Sequence, residues 1–159
     1  MTKTFRKGAI GAFLDEYERA LTELINITKT IPDEELTIIL DKQTEDENCK
    51  SVQTILSHVV SSGFGYATSI HNSKGNSLVR PGKTFHFTVK EYIVDLTHVF
   101  SFTEKVLNES REEDLEQLDH SLKIKTGWGQ VYDTEQLMEH AIVHILRHRR
   151  QIERLRNIA

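Results

Sequence analysis

The chain is 159 residues long, 38% hydrophobic and 28% charged, with a formal net charge of −4. That length suits one domain over residues 1–159, and the mix excludes a disordered or membrane-embedded chain. Net negative charge offers no global positive field, so neither nucleic acid nor an anionic membrane surface is an expected partner.

The opening stretch "MTKTFRKGAIGAFLDEYERAL" turns amphipathic by Ile10 and never offers a continuous apolar core, so it does not read as a signal peptide. With no run long enough to span a bilayer, a cytoplasmic location is expected. Ile10, Phe13, Leu14, Tyr17, Leu21, Leu24, Ile25 and Thr28 follow the three-four rhythm of a buried helical stripe, which stops near Pro32. "PDEEL" suggests a short turn before a polar loop over residues 41–50. The single cysteine, Cys49, lies in that polar stretch, rules out an internal disulfide and reads as an unactivated thiol.

A second helix is expected from Ser51 to His71, with Val52, Ile55, Leu56, Val59, Tyr66 and Ile70 on one side. Gly63 and Gly65 weaken it by about 1 kcal/mol each relative to alanine, which makes them places where a neighbour could come close. A long connection follows, "NSKGNSLVRPGKTFHF", whose turn formers and proline argue for a loop rather than a hairpin. Thr88 and Glu91 have the spacing of a capping box for a third helix that carries Tyr92, Leu96, Val99, Thr103, Val106 and Leu107 inward. Residues 111–131 read as irregular, with a turn at "REEDL". Asp133 or Thr134 then caps a fourth helix running almost to the end. The expected fold is an all-α four-helix bundle. Its connection between the second and third helices is long enough for a crossover, so strict up-down-up-down order is not required.

In the fourth helix, "MEHAIVHILRHRRQIERL" spaces His140, His144 and His148 four residues apart. At about 100° per residue, His144 and His148 share an arc with Leu137, Ala141, Ile152 and Leu155, and His140 sits at its edge. Two imidazoles in the middle of an apolar stripe are costly unless their nitrogens find partners. They are either a hydrogen-bonded structural pair or two ligands of one divalent ion, since i, i+4 histidines can present two nitrogens to the same metal. His58, embedded in "ILSHVV", is the best third ligand. Its place at the margin of its stripe also fits a half-exposed surface histidine. His71, His86, His98 and His120 fall at a helix end, off the apolar arc or in loops. There is no HExxH, no paired Glu-x-x-His, no phosphate loop and no nucleophile elbow. Asp95 and His98 form one unmatched Asp-x-x-His.

One histidine in the second helix and "EHAIVHILRHRRQI" in the fourth resemble the DinB/YfiT-like superfamily, whose fourth-helix signature runs roughly His-x-x-x-His-x-Gly-Gln-Ile. The resemblance implies a metal triad at His58, His144 and His148, with His140 as a neighbour or alternate ligand. It implies a divalent transition metal, zinc or nickel, with open coordination positions. A small-molecule substrate or low-molecular-weight thiol is the implied partner, and thiol S-transfer or hydrolysis the implied reaction. Members lacking some ligands leave a second expectation, a non-catalytic metal-binding or stress-response bundle. Arg150 departs from the signature, standing where the family often has glycine. Tyr66, Trp128 and Tyr132 either line a pocket or simply pack. Ile142 and Leu146 lie opposite the histidine face, covered by the long connections or by a second copy. Because related bundles pair, a homodimer is expected.

Overall fold

The computed structural model describes residues 4–158. Four helices dominate it: α1 (Gly8–Thr28), α2 (Val52–Asn72), α3 (Val89–Asn108) and α4 (Thr134–Ile158). Single 3-10 turns occur at Asp33–Glu35, Glu47–Cys49, Glu112–Asp114 and His120–Leu122. The stretch read as irregular holds one regular feature, a two-stranded antiparallel ribbon of β1 (Ile124–Lys125) and β2 (Val131–Tyr132). Pairs of two-residue strands are too short for alternation to show in a sequence. The "LVRPGKTFHF" segment is loop, as its proline implied.

Local chemistry sets the helix starts. Ser51 caps α2 by accepting from the Thr54 amide, and the Thr54 hydroxyl accepts the Ser51 amide in return. Asp133 and Gln136 make the same exchange at α4. At α3 only half of the expected box forms. Thr88 accepts from the Glu91 amide, but the Glu91 carboxylate takes the Thr88 hydroxyl proton at 2.6 Å instead of the backbone amide. α1 has no cap of its own; Glu112, in the turn after the neighbouring α3, accepts the Ala9 and Ile10 amides.

The packing order around the bundle is α1, α3, α2, α4. Directions follow from the cross-links. Glu23 of α1 and Thr30 just past its end meet Arg149 and Arg156 of α4, so these helices run parallel. Ser57 bonds Tyr92 at 2.6 Å and Gly63 abuts Val99, so α2 and α3 are also parallel. His58 faces His148 while Tyr66 faces His140, which makes α2 and α4 antiparallel. The topology is up-down-down-up, and the connection over residues 73–88 is the expected crossover.

That crossover must retrace the whole length of α2, about 30 Å for its 21 residues. It lies along the helix as it does so. Leu78 is tied to Asn72, Arg80 donates to the Ser61 carbonyl at 3.4 Å, and the His86 carbonyl accepts from Gln53 at 2.8 Å. His86 then anchors the far end through a 2.6 Å bond to Asp95. Asp95 therefore serves this loop, while His98 is exposed.

The core holds the stripes read from the sequence, with Leu14, Tyr17, Leu24, Ile55, Leu56, Tyr92, Leu96 and Ile152 all nearly inaccessible. Ile142 and Leu146 are half-buried and pack against this same core, leaving Val143 as the strongly exposed apolar residue of that helix face. Among the described residues no helix is long and apolar enough to cross a membrane.

Candidate metal centre

α2 and α4 bring three imidazoles to one point. The Nε2 atoms of His58 and His144 stand 2.9 Å apart, and the ring centroids of His144 and His148 are 4.4 Å apart. Candidate ligand atoms of all three lie within 4.8 Å of one another, and among the described residues no carboxylate or thiol joins this group. His58 does lie off the centre of its helix stripe, and it reaches the others because the margin of α2 faces the groove to α4.

The donor set fits a divalent ion. Zinc–nitrogen bonds of about 2.0–2.1 Å put two nitrogens on one tetrahedral ion about 3.3 Å apart, so ring movements of about an ångström close this cluster on a shared point. The hydrogen bonding also fits. Neither His58 nor His144 meets a carbonyl or carboxylate; each has the other's Nε2 as its partner. His148 is different: its Nδ1 bonds the Gln151 Oε1 at 2.8 Å. An amide oxygen accepts only, so Nδ1 carries the proton and Nε2 is left bare, the tautomer of a ligating histidine with an outer partner.

The rings are electrically ready for a cation. Burial pushes His58 down to about 4 and His144 down to about 3, with repulsion from His148 adding to each and Lys83 adding to His58. Burial also lowers His148, against the bond to Gln151 that raises it. All three are neutral at pH 7, the form that binds metal.

His140 stays outside the cluster. It stacks on Trp128 at 5.1 Å, and its centroid is 6.4 Å from that of His144. Tyr66 packs edge-on against both His140 and His144. With Trp128 it lines a cleft of about 990 Å³ that has His58, His140 and His144 in its wall. Trp128 and Tyr132 both donate to Gln130, which braces the β1–β2 turn, itself part of the cleft lining. Tyr66 and Trp128 are therefore pocket lining as well as packing, while Tyr132 does not line this cleft. Arg150 is exposed and disturbs none of the three rings. Cys49 is half-buried, with Sγ 3.5 Å from the Asp46 carboxylate and 3.8 Å from Gln151. Burial pushes this thiol up, which keeps it protonated and unreactive.

Three contributors escaped the sequence reading. Gln151 sits in the "HRRQI" motif, but its bond to His148 shows only once the side chains are placed. Arg80 and Lys83 lie in a loop whose path along α2 no local pattern reveals.

The protein is thus a helical bundle with a three-histidine cluster able to hold a metal ion beside an open cleft. The chain matches the DinB family over residues 2–155 and belongs to that family. No curated protein matches it.

Proposed function

We propose that this DinB family member is a metal-dependent enzyme in which His58, His144 and His148 hold one divalent transition metal, zinc or nickel. Its reaction is transfer involving a low-molecular-weight thiol, or hydrolysis of an ester or amide. The observation that carries the reading is the convergence of three neutral imidazoles, two of them with Nε2 atoms 2.9 Å apart, in the wall of a large cleft.

When bound, such an ion supplies Lewis acidity, lowering the pKa of a thiol or water so that it acts as a nucleophile near neutral pH. The chain's residues do the rest. Gln151 fixes the His148 tautomer. Tyr66 and Trp128 give the cleft apolar faces that hold a substrate and displace water. The burial that keeps the rings unprotonated also strengthens electrostatic interactions within the cleft.

A non-catalytic metal-binding or stress-response bundle is the second reading. The three-donor set favours the enzyme, because a closed structural site takes a fourth protein ligand. Cobalt-substituted protein separates the two. An added small thiol that changes the visible absorption of the bound cobalt supports an open position, and a spectrum indifferent to thiol contradicts the enzyme.

A further inference from the structure

The cleft is charged against the character of the chain. The protein carries 24 acidic and 20 basic residues, yet the cleft lining holds Arg80, Lys83 and Lys125 and no Asp or Glu. None of these three cations forms an ion pair among the described residues. Arg80 uses one guanidinium nitrogen on the Ser61 carbonyl at 3.4 Å, and Lys83 donates to the Asn48 side chain. Asp46, outside the lining, faces Lys83 and the histidine cluster, which leaves Arg80 and Lys125 as the wall cations that a bound anion would offset.

Two further observations concern where such an anion would lie. The Arg80 guanidinium rests directly on α2 at Gly65, where an added Cβ would stand 2.7 Å from Nη1. The missing side chain is what lets the cation settle against the helix. One turn on, Thr68 is only 6% exposed, lines the cleft and has a hydroxyl with no hydrogen-bond partner. Two other buried helix threonines, Thr28 and Thr103, bond the carbonyl four residues back, at 2.9 and 2.8 Å. A buried hydroxyl that forgoes this bond in a cleft wall has a polar atom to offer a ligand.

We propose that the cleft binds a small organic acid, its carboxylate or phosphate paired with Arg80 beside Gly65 and within reach of the Thr68 hydroxyl, and its apolar body against Trp128. Lys83 and Lys125 supply the surrounding positive field. The proposal rests on reading the cleft as a substrate site. Gly65 lies seven residues beyond His58 on α2, so the acid group is held about 10 Å along the helix from the histidines. A bifunctional substrate, acidic at one end and reactive at the other, spans that distance.

Trp128 is the single tryptophan and reports directly on the cleft. The full-length protein is titrated with phenylacetate, phenyl phosphate and the neutral 2-phenylacetamide, reading tryptophan fluorescence, with metal content measured on the same samples. At least one acid binds at millimolar or lower concentration, and the amide binds at least about tenfold more weakly. A preference for either acid supports the proposal and assigns the anion. Arg80→Ala weakens acid binding about tenfold, and Gly65→Ala, by displacing the guanidinium, does the same. Both keep the metal content of the parent, so failure here is distinguishable from failure of the metal assignment. Amide binding as tight as acid, no binding by either acid, or unchanged affinity in Arg80→Ala overturns the proposal.

Discussion

His58 and His144, 86 residues apart in sequence, point their Nε2 atoms at each other across 2.9 Å in the groove between antiparallel helices. Without a cation, one ring must be the proton donor and the other the acceptor. With one, both nitrogens are bare and share it. The relationship ties the bundle's packing to its chemistry, because any shift of α2 against α4 separates the ligands.

The depressed histidines reduce the number of protons released on metal uptake. His58 and His144 titrate at about 4 and 3 in the folded chain, against 6.5 unperturbed, and His148 is also lowered. At pH 6, three ordinary histidines would release about two protons on binding a metal. His58 and His144 release close to none, so the buried cluster releases fewer than one proton, measurable by calorimetry of zinc binding in buffers of different ionisation enthalpy.

The same shifts set the acid stability of the metal-free protein. Below pH 6.5 the unfolded chain takes up protons that the folded chain refuses, so stability falls as pH drops from about 6.5 towards 4 and 3. Replacing His144 with Leu removes one such group, and its denaturation midpoint falls less between pH 7 and pH 5 than that of the parent.

Gln151→Leu leaves the three ligands in place but frees the His148 tautomer. Loss of an outer hydrogen bond of this kind weakens metal affinity about 10–100-fold. Competition with a chromophoric chelator measures it, with helical content unchanged by circular dichroism.

The two glycines of α2 separate in their effects. At Gly63 an added Cβ would stand 2.5 Å from Val99 Cγ1 and 3.2 Å from the Tyr17 hydroxyl, in the packed core. Gly63→Ala therefore costs about 1–3 kcal/mol through overpacking, less the gain in helix propensity. Gly65→Ala meets only the end of a flexible arginine and leaves stability equal or higher. Urea denaturation of both variants checks the contrast.

Much of this was legible in the chain, for physical reasons that differ by element. The stripe of Tyr92, Leu96, Val99, Thr103, Val106 and Leu107 is the buried face of α3 because helical periodicity survives any tertiary context. His144 and His148 stood out because polar rings in an apolar arc violate that periodicity. Gly65 was flagged as a place for close approach, but its neighbour was invisible, since Arg80 arrives from a loop whose path depends on α2 and α3 being parallel. Gln151 and Thr68 were equally silent; each is defined by a hydrogen bond made or not made.

Thr68→Val replaces the unpartnered buried hydroxyl with a methyl of similar shape. Leaving a buried hydroxyl unsatisfied costs about 1–3 kcal/mol, so the variant is more stable than the parent by thermal or chemical denaturation. A less stable variant would mean the hydroxyl is already well bonded.

The most direct test is metal stoichiometry by mass spectrometry on protein purified without a histidine tag, for the parent chain and for His144→Ala. The account predicts close to one divalent ion per parent chain and none retained by the variant, with helical content preserved. Equal metal content in the two, or a parent chain that takes up no divalent ion when zinc or nickel is supplied, would contradict it.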